Sequence, residues 1–319
     1  MKRKIIRQGN HSYTLTLPID WIREQEIQEG QEVDLEQEAG SLLINLPKDR
    51  DRHKQIVFFD ISKLKEEEER TIKNILNQAY RKGYDTIRIR TKSQEEVALI
   101  ADIVKKSLLG FDTMEEKNKI VVAASIAEPS SDNYQTILNK LFFIIKVQID
   151  GILTDIKTGK AHDLARFETT KDEFDNYTNF LRRIIVKHKI GGSKDSYMHY
   201  MMVGRLSLVC HSYYYLYKFL ASQKSFKASK EVIALYADVA SMFELLRQAY
   251  FDNDFTKAHQ MAAQKKKLLN GSVYSLIQTK KGVDNVILYH LGEIIRLNQM
   301  ISTSLFGLFS IPEELSGSL

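Results

Sequence analysis

The first residues of the chain carry basic side chains of the kind that contact phosphate groups. No acidic residue occurs before Asp20. The basic side chains of this stretch are Lys2, Arg3, Lys4 and Arg7, and Arg23 follows in a predicted helical turn. Lysine and arginine residues that share one surface attract the phosphate backbone of a nucleic acid. These five residues are therefore the candidate DNA-binding residues.

The net charge of the surrounding module leaves a second interpretation open. Residues 1–47 contain five basic and eight acidic side chains, which gives a net charge of −3. Positive charge would have to be concentrated on one face in order to hold DNA. The alternative is a module that only dimerises or docks a protein, with a basic terminus that is simply solvated.

Turn residues divide this module into short strands. The stretch Lys4–Leu17 is strand-like, with a turn at Gly9-Asn10. A helical turn is predicted at Trp21-Ile22, and Val33–Glu36 with Ser41–Leu46 predict a hairpin. A module of about 45 residues buries little surface by itself. We therefore expect it to form a dimer.

The order of residues in this module resembles the AbrB/MazE-type swapped-hairpin domain. The resemblance lies in the run Gln8–Pro18 (QGNHSYTLTLP), in Trp21, in Gly30–Val33 (GQEV) and in Ser41–Ile44 (SLLI). It implies an interlocked homodimer whose N-terminal strand and loop contact DNA. Pure dimerisation remains the alternative.

Residues 48–128 predict a small α/β connector domain behind a charged linker. The predicted elements are a strand over Gln55–Ile61, a helix over Leu64–Lys82, a strand over Tyr84–Arg90, a helix over Gln94–Leu109, and a hairpin of Phe111–Glu116 with Ile120–Ser125. This order is typical of helices packed on a sheet. The stretch shows no phosphate-binding loop and no catalytic triad pattern. We interpret it as a spacer or scaffold, with a small-molecule sensing pocket as the alternative.

Residues 129–319 predict an all-helical domain. Apolar residues recur at helical spacing, for example from Leu141 to Ile156 and from Val232 to Tyr250. Breakers between these stripes predict six helices, near 131–158, 161–189, 195–222, 226–251, 254–280 and 283–309. Long helices with an apolar face pack as an antiparallel bundle. The whole chain is thus predicted to be α+β, with domains at 1–47, 48–128 and 129–319.

The six helices, taken as two groups of three, resemble the PhoU fold. The similarity includes Lys171–Asp175 (KDEFD) followed by Leu181–Arg183 (LRR), and His290-Leu291 before Ile294. Together with the swapped-hairpin module and the connector, the layout is similar to that of archaeal PhoU-like regulators. This resemblance implies a role in phosphate uptake, with a phosphate transporter or a signalling protein as partner of the helices.

PhoU proteins often carry pairs of acidic residues four positions apart, which bind clusters of iron or zinc. Residues at that spacing lie on one helix face, where two carboxylates can chelate a cation. The corresponding pairs here are Lys171 with Asp175, Ser207 with His211, Lys265 with Leu269, and Gly292 with Arg296. Each pair lacks at least one acid, so we predict no metal cluster and no other cofactor. Glu168 and Asp172 keep the spacing and are interpreted as a solvated face.

Other conspicuous residues of the helical region are interpreted as structural. Cys210 and His211 point about 100° apart on a helix, which predicts a buried thiol beside a partly exposed imidazole. The four tyrosines within Tyr213–Tyr217 cannot all face the core, so some are expected at the surface or in an interface. The run Lys265–Lys267 is expected to be solvated, with docking of an acidic partner as the alternative.

Composition narrows the class of protein. The chain is 43% hydrophobic and 27% charged and has one cysteine, Cys210, which excludes an internal disulfide framework and fits a reducing cytoplasm. It has no apolar run of about 18 residues, so no membrane span is expected. The sequence predicts a cytoplasmic, non-enzymatic, homodimeric regulator that binds DNA. The alternative is a protein-binding adaptor whose first module only dimerises.

Overall fold

The computed structural model describes residues 2–38, 40–46, 54–63, 69–116, 119–127 and 130–309. The chain divides into two compact units, Met1–Lys54 and Gln55–Leu319. The connector and the long helices, for which a boundary was predicted between residues 128 and 129, lie together in the second unit. The predicted charged linker at residues 47–52 lies outside the described residues.

The first unit consists of two hairpins and one short helix. Its strands pair antiparallel, β1 (Ile5–Gln8) with β2 (Ser12–Leu15) and β3 (Asp34–Glu38) with β4 (Ser41–Asn45). The two hairpins are separate sheets, and helix α1 (Ile19–Glu24) lies between them in the chain. Gly9, in the turn from β1 to β2, has a φ of +73°, a conformation that glycine adopts without strain. The predicted strands are confirmed, with their ends shifted by one or two residues.

None of the first unit's side chains whose burial the structure describes is buried. Ile5, Leu15 and Leu35 are 69%, 45% and 60% exposed. Ile5 pairs with Leu15 and Arg7 pairs with Tyr13, so these four side chains share one face of the first hairpin. A lone hairpin is at best marginally stable in water. This unit therefore needs a further surface to pack against.

A four-stranded mixed sheet opens the second unit. Its strands are β5 (Ile56–Asp60), β6 (Thr86–Arg90), β7 (Phe111–Glu116) and β8 (Ile120–Ser125). Their spatial order is β5-β6-β8-β7, with β5 parallel to β6 and the other neighbours antiparallel. Helices α2 (Glu69–Arg81) and α3 (Gln94–Ser107) follow β5 and β6. This confirms the predicted α/β layer, although the predicted helix start at Leu64 lies outside the described residues.

The sheet layer has a hydrophobic core of its own. Ile87 and Ile89 of β6 point to the same face, because alternate residues of a strand do so. They belong to one buried cluster with Ile72 and Leu76 of α2 and Ile100 of α3. Both helices therefore cover the same face of the sheet.

Long helices make up the rest of the second unit. They are α4 (Asn133–Thr158), α5 (Leu164–His188), α6 (Gly192–Ala221), α7 (Lys230–Phe251), α8 (Phe255–Lys265), α9 (Tyr274–Thr279) and α10 (Val283–Leu305). Helices α4, α5 and α6 pack against one another, and so do α7, α8 and α10. The two groups meet where α10 packs on α6, and one hydrophobic core runs through both. None of the helices within the described residues has the length and hydrophobicity needed to cross a bilayer.

The predicted fifth helix, near 254–280, is wrong as one continuous α-helix. A π-helical segment, Lys266–Val273, separates α8 from α9. Its sequence includes Asn270-Gly271-Ser272, which are weak helix formers. Within this segment Leu269 and Val273 are both buried, so the wider turn keeps the apolar side chains on the core.

Arg183 of α5 joins the long helices to the sheet layer. Its guanidinium is buried and donates to the backbone carbonyls of Tyr80 and Tyr84 at 3.2 and 2.7 Å, and to Asp85 at 3.0 Å. Lys187, one turn further along α5, donates to the same carboxylate. A buried charge is tolerated when it is paired and hydrogen-bonded in this way. The contact fixes α5 against the end of α2 and the start of β6.

Replacing Arg183 by methionine should destabilise the second unit by about 3 kcal/mol, because removal of one partner leaves buried polar groups unpaired. Urea unfolding of the full chain measures this loss. Arg296→Met, on the exposed side of α10, is the matched control and should change stability by less than about 0.5 kcal/mol. Equal losses in the two variants would contradict this role of Arg183.

Candidate nucleic-acid interface and the polar cluster of the helices

The five predicted DNA-binding residues are all exposed, and four of them lie in or directly before β1. Residues 2–4 precede the strand and Arg7 lies within it. The Nε of Arg7 donates to the backbone carbonyl of Gly9 at 3.3 Å, which holds this side chain along the hairpin turn. Arg23 lies in α1 instead. The structure thus brings four of the five residues to one hairpin and leaves Arg23 outside it.

The turn end of this hairpin is polar without being acidic. Gln8 and Ser12 face each other across the strands. The hydroxyl of Thr14 donates to the side-chain oxygen of Gln8, and the hydroxyl of Ser12 donates to the backbone carbonyl of Gln8. Hydroxyl and amide groups contribute to phosphate contacts beside lysine and arginine. The hairpin therefore offers a basic start and a neutral polar tip.

Acidic residues of the first unit occur only after the first hairpin in the chain. Asp20 and Glu24 lie in α1, and the others follow from Glu26 onward. Residues 2–15 therefore carry positive charge alone, although the whole module is net negative. The positive charge of the module is therefore concentrated in its first hairpin and the residues before it.

At positions that correspond to the metal-binding pairs of PhoU proteins, the structure places a hydrogen-bonded ion cluster. The carboxylate of Asp175 accepts from His211 Nε2 at 2.8 Å and from the amino group of Lys171 at 3.1 Å. Lys171 also donates to Asp172 at 2.8 Å. The ammonium group of Lys171 therefore pairs with the Asp175 carboxylate that a metal ion would need as a ligand. In the part of the chain that the structure describes, no three His, Cys, Asp or Glu side chains converge so as to hold a metal.

Within this ion cluster, the surroundings of Asp175 and Lys171 favour the charged forms of these two side chains. Burial would raise the pKa of Asp175, but the hydrogen bonds and charges of His211 and Lys171 outweigh it and lower that pKa below its ordinary value. Burial would likewise lower the pKa of Lys171, but its bonds to Asp172 and Asp175 raise it. The cluster is therefore a salt-bridged contact between α5 and α6.

The remaining ligand candidates do not gather at this cluster. Cys210 is fully buried, and burial raises the pKa of its thiol, whereas His211 beside it is partly exposed. This confirms the prediction of a buried thiol beside a partly exposed imidazole. Arg296 is exposed on α10. Glu168 accepts a hydrogen bond from the hydroxyl of Tyr214 at 3.2 Å.

An exposed apolar stripe on α6 was missed by sequence reasoning. Of the four tyrosines that were expected to be divided between core and surface, only Tyr215 is exposed. Tyr197, Met201 and Leu208 are also at least 40% exposed, and their spacing places all four on one side of the helix. We call these four residues the α6 stripe. Because polar and apolar residues are mixed round α6, its periodicity does not distinguish an inner from an outer face.

Comparison with known proteins concerns the first unit. Residues 6–53 match the family model of MazE, described as antidote-toxin recognition and bacterial antitoxin. The chain thus begins with a domain of the MazE/AbrB type, which contains both hairpins and α1. Neither a curated protein nor a solved structure gives a significant match to the chain.

Asp175→Asn should lower stability at pH 7 by about 1 kcal/mol, because the amide loses the charge that Lys171 and His211 contact. The folded pKa of Asp175 lies below the unfolded value of about 3.9. The stabilisation is therefore complete above that unfolded pKa and is lost as the pH falls through the folded pKa. Urea unfolding from pH 7 to pH 3 should show wild type and variant converging at the acid end. A constant difference down to pH 3 would refute this assignment.

Proposed function

We propose that this protein is a homodimeric DNA-binding regulator. The first unit packs against the first unit of a second copy, and the basic start of each copy contacts the phosphate backbone of one duplex. The observation that carries the proposal is a pair of hairpins with exposed apolar faces and no buried described side chain. The first hairpin and the residues before it carry positive charge alone. The MazE match over residues 6–53 supports it.

The dimer gives the basic residues their effect. One copy offers Lys2, Arg3, Lys4 and Arg7, which is few for stable binding at physiological salt. Two copies held together offer twice as many, and the second set binds at high effective concentration once the first set is engaged. Arg23, in α1, is proposed as an additional contact. These are backbone contacts, which position the protein on DNA without reading its sequence.

The long helices are proposed to be the sensing or partner-binding part. Their resemblance to PhoU supports phosphate uptake as the regulated process, with a phosphate transporter or a signalling protein as partner. The protein is proposed to act in the cytoplasm and to have no catalytic activity of its own.

A second candidate function is that of a protein-binding adaptor whose first unit only dimerises. The α6 stripe favours it, because exposed apolar side chains that share one side of a helix are typical of interaction sites. A partner of this kind would remain bound after the basic residues before and within β1 are neutralised. DNA binding would not survive that change.

Neutralising Lys4 and Arg7 together to glutamine should weaken binding to duplex DNA and flatten its salt dependence. Four phosphate contacts disappear from the dimer, so the slope of log affinity against log salt should fall by about 3 to 4. Fluorescence anisotropy between low and moderate salt measures both effects.

The matched control neutralises Lys266 and Lys267, which are exposed and belong to the second unit. It removes the same charge and should leave the slope nearly unchanged. The DNA-binding proposal fails if both double variants lose affinity to the same degree, or if neither does.

A further inference from the structure

Two arginines where α2 meets the long helices lack the ion partners that neighbouring charges have. Arg81 is the last residue of α2 and Arg182 lies in α5, and both are partly buried. Arg183, the next residue, has a carboxylate and two carbonyls around its guanidinium. Among the described residues, no carboxylate lies within ion-pair distance of either Arg81 or Arg182.

The guanidinium of Arg182 lies across α6. One of its terminal nitrogens is 2.6 Å from the place that a Cβ on Gly204 would occupy, and its carbon is 5.2 Å from the ring centre of Tyr200. Its Nε is inaccessible to solvent and has no hydrogen-bond partner among the described residues. Gly204 thus gives this side chain the room to lie flat on the helix.

Asn179 of α5 holds the side chain of Arg81 in place. The Nε of Arg81 donates to the side-chain oxygen of Asn179 at 2.7 Å. Asn179 is itself buried and donates to the side chain of Asn77 at 3.3 Å and to the backbone carbonyl of Ser107 at 3.5 Å. This chain of contacts positions the Arg81 guanidinium through one nitrogen. Its remaining N–H groups make no hydrogen bond to another described residue.

The two positive charges act on each other. Burial lowers the pKa of Arg182, and the charge of Arg81 lowers it further. Tyr200 and, more weakly, Asp175 raise the pKa of both arginines, but the carboxylate of Asp175 is already bonded to His211 and Lys171. The two arginines and Asp175 therefore carry more positive than negative charge in a partly desolvated place. An anion is attracted there more strongly than in water.

We propose that Arg81 and Arg182 together bind a small oxyanion, either a tetrahedral one such as phosphate or sulfate or a carboxylate. The planar guanidinium presents a fork of N–H groups that matches two oxygens of such an anion. The guanidinium groups of two arginines, one from α2 and one from α5, can hold one anion between them. The bound anion would neutralise the repulsion and add a contact between the sheet layer and α5. This site is independent of the DNA binding proposed above.

Isothermal titration of the full-length protein tests the site, with chloride buffer at constant ionic strength. Phosphate, sulfate and malonate are titrated separately, so that tetrahedral and carboxylate ligands are distinguished. Wild type should bind at least one of them saturably, with one anion per chain. Arg81→Gln and Arg182→Gln should each weaken binding about tenfold or more, because each removes a charge-assisted pair of hydrogen bonds.

Gly204→Ala tests the geometry while it keeps both charges. The added Cβ would displace the Arg182 guanidinium, so binding should weaken although the helix gains a better helix former. Gly271→Ala is the matched control, because the added Cβ would meet nothing within 4 Å outside its own stretch of helix, and it should bind as wild type does. Arg166→Gln, exposed on the first turn of α5, controls for the loss of a charge.

Circular dichroism identifies any variant that fails to fold. Should Arg182→Gln be one of them, Arg182→Lys replaces it, because lysine keeps the charge and loses the fork. The proposal is overturned if wild type binds none of the three anions saturably, or if folded Arg81 and Arg182 variants bind as wild type does. The Lys4 and Arg7 double variant should keep full anion binding. Loss of binding in that variant alone would place the anion on the first unit and would also overturn the proposal.

Discussion

The apolar surface that the first unit leaves uncovered is the constraint on which the rest depends. Ile5, Leu15 and Leu35 belong to hairpins that bury no described side chain within one copy. Side chains of this kind stabilise a fold only when they leave water. A second copy brings the same surfaces and can cover them symmetrically, as closed dimers do. Pairing of the first units would therefore create their core and double the basic surface at once.

The second unit removes its apolar side chains from water within one chain. It has a core in the sheet layer and a larger one among the long helices, and Arg183 joins them. Three arginines have different surroundings: Arg7 is exposed beside a turn, Arg183 is buried with the Asp85 carboxylate at 3.0 Å, and Arg182 is partly buried against Tyr200. The surroundings, and not the residue type, decide which of them can still bind a ligand.

Local patterns in the sequence were sufficient to predict most elements. The stripes of α4 and α7 have strict helical spacing, and the glycine turn between β1 and β2 separates the two strands. The π segment was missed because its apolar residues, Leu269 and Val273, also fit an ordinary helix. Its presence depends on packing against the core. The exposed side of α6 was missed because polar and apolar residues are mixed round that helix.

The candidate sites also differ in whether local sequence is sufficient to predict them. The basic residues before and within β1 are neighbours in the sequence, so they could be named from it directly. Arg81 and Arg182 are far apart in the sequence and belong to different predicted domains, and only the fold brings Arg81 onto Asn179, one turn before Arg182 in α5. The same holds for Arg183 with Asp85. Contacts that depend on how helices cross are not recorded in the spacing of any one segment.

The solution mass of the full chain, measured by analytical ultracentrifugation beside a chain that begins at Gln55, tests the central claim most directly. Pairing through the first unit predicts about twice 36.9 kDa for the full chain and a single copy for the shortened one. A full chain that sediments as one copy, or a shortened chain that still pairs as tightly as the full one, would contradict it.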